Sequence, residues 1–232
     1  MTSLYILLLL FLLVLWLGWL GGRHQGADWG SPVLNRLDGL NRLFCRYYHR
    51  LEADRIPLPA DGPALLVSNH LSGLDPFLLA AACNRPLHFM IATEQYHRFG
   101  LTWFFRWTGC IPVDRDRNPQ RAFRAALEAL EEGKVIAIFP QGKIRAHPRP
   151  GDRLKGGAAR MAQLSAAPVC CARISGVRGI GRTVSAPFLR SHARVEAFPP
   201  LSCGKMPIRD CLQAIQRCIE PEVFGEEDVS PS

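Results

Sequence analysis

The sequence lacks the signatures that most often announce an enzyme. No GxSxG stretch presents a serine, which excludes the nucleophile-elbow hydrolase pattern. The eight cysteines (Cys45, Cys83, Cys110, Cys170, Cys171, Cys203, Cys211 and Cys218) form no CxxC and none of the paired spacings of a zinc site. Several fall within apolar runs, so they read as reduced, mostly buried, small hydrophobes. Neither an internal repeat nor a long low-complexity tract is present, and 232 residues suit one globular domain plus an appendage. No Lys or Arg precedes the first apolar run and no A-x-A pattern closes it, which argues against a cleaved signal peptide and for a retained anchor.

That run, "LYILLLLFLLVLWLGWL" from Leu4 to Leu20, holds seventeen residues without a charge, at the lower edge of what crosses a bilayer's hydrocarbon core. The first basic residues, Arg23, His24, Arg36 and Arg42, all follow it, which predicts a body on the cytoplasmic side of a membrane. A net charge of +8 suits an anionic surface, either a phospholipid leaflet or a nucleic acid. The basic run from Lys143 to Arg160 sharpens that choice, because no aromatics interleave with its cations as single-strand binding requires. Membrane phospholipids are therefore the expected partner, and nucleic acid is not.

Between residues 34 and 48, "LNRLDGLNRLFCRYY" sets Leu34, Leu37, Leu40, Leu43 and Phe44 at helical spacing, predicting an amphipathic helix lying on headgroups. From residue 63, short apolar runs such as "ALLVS" (64–68), "LHFMIA" (87–92), "KVIAIF" (134–139) and "PVCCARI" (168–174) alternate with helical stretches. The clearest helix starts at the N-cap Asn118 with Pro119 behind it and ends at Gly133. The pattern predicts an α/β fold: a single domain with a mixed central sheet flanked by helices, preceded by an N-terminal membrane-anchoring helix. The expected divisions are an anchor over 1–22, a linker and interfacial helix over 23–48, the globular domain over 49–220 and a frayed tail over 221–232.

Polar residues interrupt the pattern where strands should end. In α/β sheets, catalytic groups gather in loops beyond the carboxyl ends of strands. In "VSNHLSGLDPF" (67–77), His70 precedes Asp75 by five positions, and Ser72 with Gly73 permits a tight turn between them. Asp75 before Pro76 also reads as a helix N-cap. A carboxylate bonded to one imidazole nitrogen fixes the tautomer and leaves the other nitrogen as a base. With no enzyme nucleophile in view, the substrate's own hydroxyl would attack. Two further loops, "GCIPVDRD" (109–116) and "FPQGKIR" (139–145), bring Arg115, Lys143 and Arg145 with backbone N–H groups suited to phosphate.

"NHLSGLD", "GCIPVDR", "FPQGKIR" and "APVCCARI" resemble, in order and spacing, the four motif blocks of the glycerolipid acyltransferases, the family of 1-acyl-sn-glycerol-3-phosphate acyltransferases, over roughly residues 45 to 200. The resemblance implies His70 as general base and Asp75 as its orienter, in a transfer of a fatty acyl group from acyl-CoA or acyl-carrier protein to the free hydroxyl of a lysophospholipid. It implies no metal and no cofactor beyond the acyl donor. Asn69 would help position the loop, Gly109 would allow a close turn, and Arg115 would take the acceptor's phosphate. Gly142, Lys143 and Arg145 would complete the substrate contacts. Two departures stand out in the third block: Gln141 replaces a usual Glu that binds acceptor hydroxyls, and Ile144 replaces a usual phosphate-binding Arg. Cys170 and Cys171 are unusual in the fourth block and read as core packing.

The leading expectation is synthesis of phosphatidic acid from its 1-acyl precursor. The departures keep open a different lyso-lipid acceptor: a lyso-aminolipid, another lysophospholipid or a glycolipid. A hydrolase using water at His70 and a non-catalytic lipid- or nucleic-acid-binding protein are the remaining alternatives.

Overall fold

In the computed structural model, which describes residues 2–145, 147–149 and 152–223, strand β2 (Ala64–Ser68) is buried at all five positions. A strand apolar on both sides needs cover on both. Because side chains alternate along a strand, Ala64 and Leu66 face one core with Leu74, Leu78, Phe89 and Ile174. Leu65 and Val67 face a second core with Ala126, Leu130, Met161 and Ile215.

Around β2 the described residues form a seven-stranded sheet with β1 (Glu52–Ala53), β3 (Leu87–Ala92), β4 (Ile111–Val113), β5 (Val135–Ile138), β6 (Val169–Ser175) and β7 (Arg194–Ala197), in the order β1-β7-β6-β2-β5-β3-β4. Neighbours run parallel except β6 and β7, so the sheet is mixed. Helix α3 (Asp75–Ala82) covers the first core. Helices α6 (Pro119–Glu131), α7 (Gly157–Ser165) and α8 (Ile208–Ile219) cover the second. Two short helices, α4 (Thr93–Tyr96) and α5 (Thr102–Trp107), lie between β3 and β4. As the spacing predicts, Asn118 caps α6 by accepting the Arg121 N–H at 3.2 Å.

Helix α1 (Thr2–His24) is long and apolar enough to cross a bilayer, and its leucines from Leu4 to Leu15 stand exposed, Leu4 at 73%. It packs on α2 (Pro32–Leu43) through two glycines: a Cβ on Gly39 would collide with the Gly21 carbonyl, and one on Gly21 with the Arg36 carbonyl. The amphipathic segment is shorter than expected, because α2 stops at Leu43 and residues 44–48 form a single π turn. Its buried face is Leu34, Asp38 and Gly39, whereas Leu37 is exposed. The reason is polar. Asp38 accepts the N–H groups of Gly26 and Ala27 and the Arg42 Nε–H, at 2.8, 3.2 and 2.8 Å. Arg42 then donates to the carbonyls of Ala80, Ala81 and Cys83, which the end of α3 leaves without helical partners.

The cysteines need one correction. Cys203 and Cys211 are joined in a disulfide, because the turn before α8 brings their Cα atoms to 5.6 Å. A spacing of eight carries no signature that would have flagged it. Cys45, Cys83, Cys170 and Cys171 are free and buried, as expected. Strands β1 and β7 were not anticipated, since β1 has only two residues and Arg194 and Glu196 break the apolar run of β7. Of the expected tail, 221–223 form a short 3-10 turn, and the remainder lies outside the described residues.

Asp38→Ala leaves Arg42 and two backbone donors without their buried acceptor. Urea unfolding of the detergent-solubilised chain should show a loss of about 3 kcal/mol, in the range for breaking one side of a buried pair.

Candidate active site

The loop after β2 carries the candidate base. Asn69 anchors it: its side-chain oxygen accepts the Ile174 N–H at 2.7 Å and its amide donates to the Ile174 carbonyl at 2.9 Å, stitching the loop to β6. His70 then leaves the sheet edge and Asp75 opens α3. The Asp75 carboxylate does not cap that helix. It turns back into the loop, where Oδ2 accepts the N–H of Leu71 at 2.6 Å and of Ser72 at 2.8 Å, and Oδ1 accepts the Ser72 hydroxyl at 3.1 Å.

The fourth donor is His70, whose Nδ1 lies 2.8 Å from Oδ2. Because Oδ2 already accepts two backbone N–H groups, the shared hydrogen sits on Nδ1, and Nε2 keeps its lone pair. Among the described residues Nε2 has no hydrogen-bond partner. Asp75 is fully buried, while the His70 side chain keeps 19% of its surface open. The ring lies flat on Phe139, with centroids 4.1 Å apart and planes within 13°, and Phe139 stacks in turn on Phe89. The imidazole is thus held by a bond in its plane and a ring beneath it.

The third block wraps around the same histidine. The Arg145 N–H donates to the His70 carbonyl at 2.7 Å. Gly142 adopts φ +74, a left-handed conformation open to glycine, and a Cβ there would meet the Lys155 side chain. Lys143 is exposed. Gln141 and Arg145, expected at the substrate, already have protein partners. The Gln141 amide donates to Glu220 Oε1 at 2.8 Å, and Arg145 Nη1 reaches both Glu220 oxygens at 3.2 Å. Glu220 is fully buried at the end of α8 and also accepts from Gln216 at 3.3 Å.

This carboxylate explains the first departure from the motif. A Glu at position 141 would press a second carboxylate against Glu220, whereas a Gln donates to it. Nothing in the linear sequence joins positions 79 residues apart, so Glu220 was not foreseen. Neither was Phe139, quoted within its motif only as an apolar residue.

The second block lies farther out. Gly109, at φ +68, turns the chain beneath His88, whose ring a Cβ would strike. Burial lowers the His88 pKa, so that ring serves as neutral packing. Arg115 is exposed two residues past β4. The registers Val67↔Ile138, Phe89↔Ala137 and Ala92↔Val113 bring the loops after β2, β5, β3 and β4 to a common height. With three interstrand steps between β2 and β4, His70 and Arg115 start about 14 Å apart. In the fourth block, Cys170 and Cys171 are buried, and burial pushes the Cys170 thiol up to about 11. Neither is poised as a nucleophile.

A mixed α/β sheet with one oriented histidine at the carboxyl edge of its parallel strands, among turned glycines and cations, is an arrangement able to take a proton beside an anion. The chain belongs to the Acyltransferase family, whose model matches residues 51–175. It is similar to a 1-acyl-sn-glycerol-3-phosphate acyltransferase of Bacillus subtilis, 28% identical over 120 residues that make up 51% of this chain and 59% of that protein. An N-acylphosphatidylethanolamine synthase of Arabidopsis thaliana is 30% identical over 113 residues, 44% of this chain and 40% of that one. The chain spans about half the length of the curated relatives it matches. In fold it resembles the crystal structure of the 1-acyl-sn-glycerophosphate (LPA) acyltransferase PlsC from Thermotoga maritima, with TM-score 0.63 and 18% identity, over 87% of this chain and 82% of that one.

Gln141→Glu should destabilise the chain by about 2 to 4 kcal/mol, the cost of an unpaired buried charge, and adding Glu220→Gln should restore most of that loss. Denaturant unfolding of the four chains of this cycle gives the coupling directly.

Proposed function

We propose that this chain is a membrane-attached O-acyltransferase that moves a fatty acyl group from a thioester to the free hydroxyl of a lysophospholipid. The observation that carries the reading is the Nε2 lone pair of His70, fixed by the buried Asp75 and open at the sheet's carboxyl edge. In the proposed step, His70 Nε2 takes the hydroxyl proton as that oxygen attacks the thioester carbonyl carbon. The tetrahedral adduct then collapses, the carbon–sulfur bond breaks, and the thiolate leaves with the proton that His70 returns. Asp75 stabilises the imidazolium formed between the two transfers.

Acyl-CoA or acyl-carrier protein is the proposed donor and 1-acyl-sn-glycerol-3-phosphate the proposed acceptor, giving phosphatidic acid. Arg115, exposed and at the height of the base, is assigned to the acceptor phosphate, with Lys143 as a second exposed cation in the loop after β5. Asn69 is assigned to holding the loop of the base against β6 and Gly109 to the close turn before β4. Residues 1–22 are read as the anchor, 23–48 as linker and interfacial helix, and 49–220 as the catalytic unit on the cytoplasmic side. Exposed Trp16 and Trp19, with Arg23 over the Trp19 ring at 5.0 Å, suit a helix end at a headgroup layer.

One observation favours a second acceptor class. Gln141 turns to Glu220 and Ile144 is apolar, so the third block presents fewer polar groups to a phosphorylated glycerol than the family pattern would. A lyso-aminolipid or another lysophospholipid fits that site with the same chemistry.

His70→Ala should cut acyl transfer in membranes by at least about 10²–10⁴-fold, the worth of a positioned base, with expression unchanged; a turnover equal to that of the parent chain removes the base. Arg115→Ala should raise the acceptor KM about tenfold, one charge-assisted hydrogen bond, and leave the donor KM in place. A panel of lyso-lipids with one acyl-CoA then identifies the acceptor.

A further inference from the structure

A second set of cations lies on the other side of the base. A cavity of about 330 Å³ is lined by Arg50, Gly176, Arg178, Arg190 and His192. That is at the small end of ligand pockets, which run to roughly 300–1,000 Å³. None of its lining residues is acidic, and neither Arg178 nor Arg190 makes an ion pair among the described residues.

The pocket is built. Gly176 follows the last residue of β6 at φ +68, and a Cβ there would collide with the His192 carbonyl. Ser191 is fully buried; its hydroxyl accepts the Arg178 N–H at 3.0 Å and donates to the Leu189 carbonyl at 3.0 Å, which fixes Arg178 against the Arg190 segment. Arg50 sits at φ +48, a left-handed conformation that costs a side-chain-bearing residue about 1–2 kcal/mol. It is held there by backbone bonds on either side, Ala193 N–H to the His49 carbonyl and Glu52 N–H to the Ala193 carbonyl. The strain brings its Nη1 to 2.9 Å from His192 Nε2. A guanidinium only donates, so His192 Nε2 accepts, and Arg50, Arg178 and Arg190 line the pocket with no ion pair among the described residues.

We propose that this pocket binds a phosphate group. Planar guanidinium forks in convergence match phosphate oxygens, and the volume suits one such group with its waters. Its position gives the binding a use. The loop that carries Arg178 is bonded to the loop of the base, Gly73 N–H to the Arg182 carbonyl at 2.9 Å and Gly181 N–H to the Leu71 carbonyl at 2.8 Å. Exposed Ile180, Val184 and Phe188 flank the pocket on the same segment. The phosphate is carried either by an anionic lipid headgroup or by the soluble acyl donor.

The test uses the full chain in detergent micelles, inorganic pyrophosphate as probe, and calorimetry as readout, none of which depends on acyl transfer. The Arg178→Gln, Arg190→Gln double variant should lose at least about tenfold in affinity, the worth of one charge-assisted hydrogen bond. A Lys205→Gln, Arg209→Gln double variant, which removes the same charge elsewhere, should bind as the parent does. Equal binding by the parent and the first variant, or an equal loss in the second, overturns the assignment. Two further arms name the source. Weaker flotation with phosphatidylcholine vesicles containing phosphatidic acid, but not with phosphatidylcholine alone, assigns the headgroup. A raised KM for acyl-CoA with unchanged flotation assigns the donor. No change in either arm marks pyrophosphate as an adventitious ion only and overturns the proposal.

Discussion

The buried carboxylate of Asp75 is the constraint on which the site depends. It is sealed from water, and a bare carboxylate there would be costly to fold around. The chain meets that cost with four donors, three of them from Leu71 and Ser72. The loop conformation is therefore not incidental to the dyad. The same bonds that make the carboxylate tolerable bend residues 70–74 into the turn that brings His70 alongside it. A residue that merely capped α3 would have left the imidazole unoriented.

The second buried carboxylate, Glu220, shows the same economy one layer back. Its partners Gln141, Arg145 and Gln216 come from two segments, and one of them, Arg145, also bonds the His70 carbonyl through its backbone. Thus the end of α8 is tied to the loop of the base through a single residue. The altered motif letter at position 141 sets a neutral donor in the loop beside the buried carboxylate at the end of α8. Read alone, Gln141 looks like a lost substrate contact; read with Glu220, it is a donor that a buried anion requires.

How far the sequence was legible follows from range. The strands β2, β3, β5 and β6 and the helix α6 announce themselves because a central strand is apolar throughout and a surface helix alternates with period 3.6. The pairing of His70 with Asp75 is local, and a five-residue spacing around Ser72 and Gly73 permits it. Glu220, Phe139, the disulfide and the Arg50 pocket depend instead on which strand lies beside which, and no local pattern encodes that order. Helix α2 is an intermediate case. Its leucine spacing is plain in the sequence, yet Asp38 and Arg42 decide its buried face, because satisfying the carbonyls at the end of α3 outweighs covering Leu37.

That last contact has a mechanical consequence. Gly21 against Gly39 locks α1 to α2, Asp38 and Arg42 lock α2 to the C-terminal turn of α3, and the first residue of α3 is Asp75. An eight-residue helix is about 12 Å long at 1.5 Å per residue, so a path of that length joins the point where α2 docks on α3 to the carboxylate bonded to His70. With α1 seated in a bilayer, the height of His70 above the headgroups is fixed by packing and not left to a flexible tether. A soluble thioester can approach from any side, but a lyso-lipid presents its hydroxyl at one depth. For the proposed lyso-lipid acceptor, the order of the chain, an apolar helix, a buried ion pair and then His70, would hold the proposed base at that one depth.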